Sequence, residues 1–397
     1  MYKRGDKKII NKGGAYARSG YGILFDMSIL DAFSSFFTKK SPSVLGIDIG
    51  SSSVKVVQIK KKRGKAVLET YGELALGPYA GTEIGRATNL PNDKIIEAVK
   101  DILHEAKTTT TSCGSALPLS SSLISFISLP PLGGKHISEV ISLEARKYIP
   151  VPISEVMLDW SIIPREDSYA SDETEENPEK QKEGQDVLVV AIHNEYIASY
   201  QAIMSGSGLN PSFYEIELFS SIRASVDQGL QPVMILDMGA RSTKLYIVDR
   251  GLLRAAHIIN KGSQDITLAL SKAMSISVAE AESLKRMHGL EAPPEYKDAK
   301  EIISVNLDYL FYEANAALLN YEKKYHKTVS KVMLSGGGVL LKGFAGLAKV
   351  SFQADVVYAD PFGKLETPAF LREQLATAGP EFSVAIGAAL RRLGELA

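Results

Sequence analysis

Disulfides, membrane-spanning runs and an excess of basic charge are all missing from this chain. Its single cysteine, Cys113, cannot form an internal disulfide. No apolar run reaches the roughly 18 residues that a membrane-spanning helix needs. Lysine and arginine number 45 against 46 acidic residues, so the chain lacks the basic footprint typical of nucleic-acid-binding proteins. These absences favour a cytosolic protein that recognises its partners through local sites.

Length and apolar content indicate more than one core. The chain has 397 residues, of which 45% are hydrophobic. A single core rarely serves a chain of this length, so two lobes of about 200 residues each are expected.

Two segments share one pattern of strand, Asp-x-Gly, small residues and strand. The first reads Gly46-Ile-Asp48-Ile-Gly50-Ser51-Ser52-Ser53-Val-Lys55. The second reads Asp237-Met-Gly239-Ala240-Arg241-Ser242-Thr243. Either hairpin alone would pass for an ordinary turn, but a recurrence about 190 residues apart indicates a duplicated architecture.

The two hairpins have the composition of a phosphate clamp. Glycine permits a tight turn and a close approach of the backbone, and successive amide and hydroxyl groups can surround phosphate oxygens. A carboxylate would repel phosphate, so Asp48 and Asp237 are predicted to hold Mg²⁺ through water. The predicted nucleotide-binding residues of the hairpins are Asp48, Gly50, Ser51, Ser52, Ser53, Lys55, Asp237, Gly239, Ala240, Arg241, Ser242 and Thr243.

Two further segments extend this predicted nucleotide site. An apolar strand at 331–334 ends in Gly336, Gly337 and Gly338, whose bare backbone can lie against a nucleoside. Glu282 and Lys285 are three residues apart on one helix face, where they can address a ribose or base edge. Taken alone, this pair also fits a solvated salt bridge.

The order of these four motifs resembles the actin-like ATPase superfamily. Residues 46–57 are similar to the opening motif of the PilM family of type IV pilus assembly proteins. Further blocks similar to that family follow in the same order, at 127–132, 139–150, 155–160, 215–219 and 383–389. The resemblance covers about residues 27–397.

The resemblance implies an α/β actin-like ATPase fold of the duplicated ribonuclease H type, with two lobes around a nucleotide cleft. It also implies ATP with Mg²⁺, and a subdomain inserted in the first lobe. Family members bind the N-terminal cytoplasmic tail of PilN in a groove between that lobe and the subdomain. By region, the expected groove residues are Ser125, Ile127, Leu129, Val140, Leu143, Glu144 and Lys147. Such an adaptor would be held at the inner face of the cytoplasmic membrane by its partner.

The sequence pattern divides the chain into two lobes, an inserted subdomain and a helical cap. The first lobe is predicted at 44–111 and 187–230, the inserted subdomain at 112–164, the second lobe at 231–261 and 328–397, and its helical cap at 262–327. The cap is expected to contain two helical stretches.

Three segments lie outside the two lobes, the inserted subdomain and the cap. The basic, glycine-rich residues 1–26 are predicted to be a disordered extension, either a start assigned too far upstream or a genuine basic arm. Residues 27–43 include an amphipathic stretch, Ser28 to Phe37, that docks on protein or touches the membrane surface. The acidic residues 165–186 are predicted to form a solvated loop, with docking of a basic partner as the alternative.

His193, Asn194 and Glu195 follow an apolar strand that is expected to re-enter the first lobe. Asn194 and Glu195 are candidates for orienting a water, although Asn194 also fits a helix cap. Without such a group ATP hydrolysis would be slow. Two other functions stay open: an FtsA-like filament-forming cell-division protein and an actin-fold metabolite kinase.

Overall fold

The computed structural model describes residues 9–10 by their backbone, and residues 42–129, 137–164, 185–227, 229 and 231–396. The amphipathic stretch predicted at 28–37 and residues 165–184 of the predicted acidic loop lie outside the described residues. Within the predicted extension, Ile9 and Ile10 pair antiparallel with Leu74 and Glu73. The prediction of disorder for 1–26 is therefore wrong for these two residues.

The strands are β1 Ile9–Ile10, β2 Ser43–Ile49, β3 Ser53–Lys62, β4 Lys65–Ala75, β5 Ser112–Leu117, β6 Ser122–Leu129, β7 Val156–Ile162, β8 Gln185–His193, β9 Asn210–Ile216, β10 Val233–Met238, β11 Thr243–Asp249, β12 Leu252–Ile259, β13 Lys331–Ser335 and β14 Asp355–Tyr358. The helices are α1 Asn92–Glu105, α2 Ile137–Ala145, α3 Asn194–Gly206, α4 Glu217–Ser225, α5 Ser263–Met274, α6 Val278–His288, α7 Lys297–Tyr325, α8 Phe344–Ser351, α9 Arg372–Ala378 and α10 Ser383–Glu395.

The two lobes have sheets of the same order. The first sheet runs β4-β3-β2-β5-β9, with β1 added at its edge, and the second runs β12-β11-β10-β13-β14. In each, the hairpin strands are antiparallel and the next two strands are parallel to the first hairpin strand. The duplication predicted from the two Asp-x-Gly hairpins is confirmed by this shared order, and the fold is of the actin-like ATPase class.

The inserted subdomain has different boundaries from those predicted. Strand β5 pairs with β2 and β9 in the first-lobe sheet, so residues 112–117 do not belong to the subdomain. Strand β8 is the centre of a separate three-stranded sheet, β6-β8-β7, and does not re-enter the first lobe. Both faces of β8 are covered, with Val189 on one side and Leu188 on the other, which gives it the uniform apolar sequence of a central strand.

Strands β13 and β14 lie in the second-lobe sheet, as predicted for 328–397, but the last helix of that segment, α10, belongs to the first lobe. Helix α10 packs on β2, β3 and β5. A Cβ atom on Gly46 would lie 1.8 Å from the Ala385 carbonyl oxygen, and one on Gly387 would lie 1.9 Å from that of Ser220. Glycine at both positions therefore allows α10 to approach β2 and α4 closely. Buried Glu215 on β9 binds Arg391 of α10 at 2.7 Å.

The helical cap contains three helices rather than the predicted two. Helix α5 ends before Ser275, which adopts a left-handed conformation with φ of 54°. Helix α6 then starts at a capping box in which Ser277 and Glu280 satisfy each other's backbone amides. Helices α5 to α7 share one hydrophobic core with strands β10, β11 and β13.

Candidate functional site

A cavity of about 390 Å³ lies between the two lobes. Its walls come from the two Asp-x-Gly turns, from α6 of the cap, and from the segment after β13. Every residue predicted to bind nucleotide except Thr243 lines this cavity. Thr243 is buried, and its hydroxyl donates a hydrogen bond to the Lys261 carbonyl at 2.9 Å. It therefore stabilises the second Asp-x-Gly turn from outside the cavity.

The two turns have the same backbone geometry. The Gly50 amide donates to the Ser53 carbonyl at 2.9 Å, and the Gly239 amide donates to the Ser242 carbonyl at 3.0 Å. A Cβ atom would lie 3.1 Å from the Ser53 oxygen at the first position and 3.2 Å from the Ser242 oxygen at the second. Neither glycine has a positive φ. Close approach of the backbone, and not a special backbone angle, is therefore the reason for glycine here.

Each hairpin carries an aspartate and a lysine in direct cross-strand register. Asp48 faces Lys55 across β2 and β3, and Asp237 faces Lys244 across β10 and β11. Lys244 was not among the residues predicted from the sequence, although the spacing of seven residues from aspartate to lysine is the same in both hairpins. This equal spacing could have identified Lys244 from the sequence.

Carboxylates hold both lysines at the floor of the cavity. Lys55 lies 3.3 Å from Glu73 and donates to the Ser53 hydroxyl at 2.8 Å. Lys244 lies 2.7 Å from Glu217 and 3.7 Å from Asp237. Glu217, at the start of α4, was also missed, because only the fold brings it beside the second hairpin.

The buried charges perturb one another. Burial raises the pKa of Asp48 to about 6, against the opposing effect of Lys55. Burial alone would lower the pKa of both lysines, but Glu73 beside Lys55 and Glu217 beside Lys244 outweigh burial and hold each pKa above its usual range. Both lysines are therefore cations at neutral pH, and the cavity floor combines fixed positive and negative charge.

The glycines after β13 face the second hairpin. Gly336 has a φ of +83°, and a Cβ atom there would lie 2.5 Å from Asp237 Oδ1. A Cβ atom on Gly338 would lie 2.5 Å from the Met238 side chain. A larger residue at either position would displace Asp237 or its neighbour, so the glycines keep this wall of the cavity open.

Glu282 and Lys285 form a buried ion pair, not a solvated one. Their charged atoms are 2.7 Å apart, and both residues are buried. Lys285 also donates to the Thr267 hydroxyl at 2.8 Å, and Arg286 donates to Glu282 at 2.5 Å. The helix face predicted from their spacing is correct, and it lines the cavity.

A segment between β4 and α1, residues 76–91, crosses from the first lobe to the second; we call it the strap. The Thr88 amide donates to the Ser51 carbonyl at 2.8 Å, which ties the strap to the first turn. Arg241 of the second turn donates to the Thr88 carbonyl at 2.6 Å. The Ala87 amide donates to the Gln264 side chain of α5 at 2.8 Å. The strap thus links both turns and the cap.

The prediction that Asn194 and Glu195 lie at the cleft is wrong. Both are exposed, and neither is among the residues that line the cavity. The Asn194 side chain donates to the Ser154 carbonyl at 3.0 Å, so it joins the start of α3 to the inserted subdomain. The error follows from placing β8 in the first-lobe sheet.

The predicted peptide groove divides into core and surface residues. Ser125 and Ile127 border a small depression between β6 and the end of α2. However, Ile127 and Leu129 are only 2% and 3% exposed and belong to the core beneath α2. Val140 is half-buried against the same core, whereas Leu143 is exposed. Glu144 and Lys147 form an ion pair with each other at 2.7 Å.

The interlobe cavity combines groups suited to an anion with several carboxylates. Two half-buried lysines, whose side chains are 12% and 16% exposed, turn amides and serine hydroxyls are suited to phosphate oxygens. Among the described residues, no three histidine, cysteine, aspartate or glutamate side chains gather around one point as a metal would require. No helix in the described part of the chain is long and apolar enough to cross a membrane.

Comparisons with known proteins agree with the fold and the motifs. Residues 46–393 match the family model of the type IV pilus assembly protein PilM. A solved PilM-PilN type IV pilus biogenesis complex contains a chain that is 25% identical and superposes with a TM-score of 0.73, over 88% of this chain and 98% of that one.

More distant relatives share the fold. The ethanolamine utilization protein EutJ from Carboxydothermus hydrogenoformans is 13% identical, with a TM-score of 0.50 over 88% of this chain and 89% of that chain. MreB5 of Spiroplasma citri, solved with ADP, is 11% identical, with a TM-score of 0.50 over 89% of this chain and 97% of that chain.

One curated relative is a cell-division protein. FtsA of Rhizobium meliloti (strain 1021) is 24% identical over 221 residues, which span 50% of this chain and about half, 48%, of that relative. The family model, in contrast, covers nearly the whole described chain. The chain therefore belongs to the PilM family of type IV pilus assembly proteins.

Proposed function

We propose that this protein is an ATP-binding adaptor of the type IV pilus assembly platform. It binds ATP with Mg²⁺ between its lobes and the N-terminal cytoplasmic tail of a PilN partner at its inserted subdomain. The proposal rests on the two matched Asp-Lys hairpins, which face one cavity. It is supported by the similarity of this chain to a chain of the solved PilM-PilN complex. Such an adaptor would lie at the membrane face through its partner.

The triphosphate would lie between the two turns. Lys55 and Lys244 approach from opposite lobes, and each already has a carboxylate that fixes its position. The half-buried lysines favour an anion because their charge is only partly screened by water. The nucleoside would then lie along Gly336 to Gly338 and beside Glu282 and Lys285, which line the same cavity.

The residues present fit a magnesium ion. Asp48 and Asp237 line the cavity beside the two turns, and the space next to Asp237 exists only because residue 336 lacks a side chain. Held through water, the ion would neutralise phosphate charge that the carboxylates would otherwise repel.

Any ATP hydrolysis is expected to be slow. Glu217 is the cavity carboxylate at the start of α4, and its 2.7 Å ion pair with Lys244 opposes its use as a base. Asn194 and Glu195, the residues first expected to orient a water, are exposed outside the cavity. Slow turnover suits a scaffold whose lobes are held in one arrangement by bound nucleotide.

The magnesium-dependent affinity for ATP is expected to fall as pH decreases through about 6. The raised pKa of Asp48 means that its carboxyl gains a proton in this range, and a neutral carboxyl no longer attracts a hydrated cation. Titration calorimetry from about pH 5 to about pH 8 measures the effect, which is at most tenfold per pH unit for one proton.

Asp48→Asn provides the control for this pH profile, because ATP itself also titrates. Wild type should lose more affinity than Asp48→Asn as pH falls. Parallel profiles of the two proteins would show that Asp48 does not face the metal.

The strap is expected to slow nucleotide release. Gln264→Ala removes its hydrogen bond to Ala87 without altering a residue that lines the cavity. One such bond contributes about 1 kcal/mol, so release of a fluorescent ATP analogue should accelerate about fivefold. The exposed Gln374→Ala on α9 is the matched control, and equal release rates in the two variants would refute a role for the strap.

The partner tail would bind beside α2 and the edge of the three-stranded sheet. Strands β6 and β7 each pair only with β8 among the described residues, so each leaves an edge for an extended peptide. Leu143, Tyr148 and Met157 are exposed large apolar side chains on this subdomain. Main-chain pairing with a few apolar contacts would suit a short tail.

Titration calorimetry with a synthetic peptide that copies the cognate PilN tail tests the adaptor proposal. Binding with micromolar affinity or better, lost with a scrambled peptide, is the expected result. A change in affinity on adding ATP with Mg²⁺ would measure coupling between the two sites. Absence of peptide binding with and without nucleotide, by a protein that binds ATP, would refute the adaptor function.

A further inference from the structure

The long helix α7 carries an apolar stripe on the side opposite to its buried face. Val305, Tyr309, Tyr312 and Leu319 are between 49% and 71% exposed. Half-buried Ala316 lies in line between the last two. We call these five residues the α7 stripe. Single exposed apolar residues are common on protein surfaces, but an aligned row along one helix marks an interaction surface.

The spacing of the α7 stripe is that of a helix-pairing seam. Its members follow one another at intervals of four, three, four and three residues. This alternation is the coiled-coil pattern that lets a second helix lie alongside. The buried residues of α7, such as Ile303, Leu307 and Leu310, fall on the other side and pack in the second-lobe core. The stripe is therefore not needed to hold α7 in place.

The charges beyond the two ends of the α7 stripe indicate the partner. On the stripe's side of the helix, Asp298 and Glu301 precede Val305, whereas Lys323 follows Leu319 by about one turn. Glu301 also lies 3.6 Å from Lys297 on its own helix, in an exposed pair that contributes little and can exchange partners. Glu301 lies eleven residues before Tyr312, and Lys323 lies eleven residues after it. Val305 and Leu319 are likewise seven residues before and after Tyr312. The surface is thus complementary to itself when a second α7 runs antiparallel around Tyr312.

We propose that two copies of this protein associate through antiparallel pairing of their α7 stripes. Tyr312 lies at the two-fold axis and meets its own copy, Val305 meets Leu319, and Glu301 meets Lys323. Such an isologous contact closes at a dimer and does not propagate into a filament. Parallel pairing would place Glu301 beside Glu301, so the charges select the antiparallel register.

The contact is expected to be weak and independent of nucleotide. One helix face buries less than the roughly 800 Å² per partner of a typical stable interface, so a dissociation constant of micromolar order or weaker is expected. None of the five residues is among the described residues that line the interlobe cavity or the depression beside α2. The dimer therefore leaves both proposed binding sites accessible.

Cysteine crosslinking tests the register directly, because the native Cys113 is buried and will not react. Tyr312→Cys, mildly oxidised by copper phenanthroline, should form a disulfide-linked dimer. Val305→Cys should crosslink to Leu319→Cys in a mixture of the two variants but not to itself. Val350→Cys, on exposed α8, measures random collisions. Self-crosslinking of Val305→Cys above that control would overturn the antiparallel arrangement.

A charge swap tests the interface without cysteine. Sedimentation equilibrium of the full chain should show a dimer that weakens severalfold in Glu301→Lys and in Lys323→Glu, and recovers in the double variant. Both positions are exposed, so folding should be unaffected. A wild-type protein that stays monomeric at all accessible concentrations would overturn the proposal. A dimer that appears only after residues 1–41 are deleted would also overturn it. That result would mean that the chain's own amphipathic stretch, at 28–37, covers the α7 stripe in the full-length protein.

Discussion

Lys244→Ala is expected to reduce the affinity for ATP by about 100-fold. A hydrogen bond that involves a charged group contributes about 1.5–3 kcal/mol, which is a factor of about 10 to 150. The change also leaves Glu217 and Asp237 without the cation that now lies 2.7 Å and 3.7 Å from them, so their charge would repel phosphate. Titration calorimetry with ATP and Mg²⁺ measures the loss.

Two controls separate phosphate binding from general damage to the site. Lys349→Ala removes an exposed lysine on α8 and should leave ATP affinity unchanged. Lys244→Ala combined with Glu217→Gln removes the uncompensated buried carboxylate, so part of the affinity and of the thermal stability should return. If Lys244→Ala bound ATP as tightly as wild type, the phosphates could not lie between the two hairpins.

Local motifs were predictable from the sequence because each is completed within a few residues. An Asp-x-Gly hairpin contains its own turn, its own aspartate and its own cross-strand lysine. Asp48 and Lys55 were predicted together for this reason, and the equal spacing would also have identified Lys244, which was missed. The same is true of the ion pair between Glu282 and Lys285, which share one helix face. These residues line one cavity because the duplicated sheets face each other across it.

Several of the assignments that failed depend on distant parts of the chain. Strand β8 has apolar residues on both faces, since Val189 packs under α2 and Leu188 packs toward the second lobe. That composition identifies a central strand but not the sheet to which it belongs. Helix α10 follows second-lobe elements in sequence, yet its contacts with distant residues, such as the close fit of Gly46 against Ala385, place it in the first lobe.

Burial also separates residues that the sequence placed together in one groove. Leu143 and Ile127 are both large and apolar, and both belong to the block that resembles the family's peptide-binding subdomain. Leu143 is on the exposed side of α2, whereas Ile127 points from β6 into the core beneath it. Alternation along a single strand could not decide this, because both faces of the three-stranded sheet are covered.

Ile127→Asp is expected to unfold the inserted subdomain rather than only weaken tail binding. The change places an unpaired charge and a cavity in a core that includes Ile141 and Val189, at a cost of about 4–5 kcal/mol or more. Leu143→Asp changes an exposed residue of the same size, so its effect on stability should be within about 0.5 kcal/mol.

Thermal unfolding and calorimetry with the PilN peptide distinguish these two variants. Ile127→Asp should lower the melting temperature and lose peptide binding together, because the site depends on the folded sheet. Leu143→Asp should keep the wild-type melting temperature and lose at least tenfold in peptide affinity, since it removes a contact while the sheet persists. If Ile127→Asp instead melted like wild type and failed only to bind the peptide, Ile127 would be a surface residue of the groove. The core beneath α2 would then have to be assigned differently.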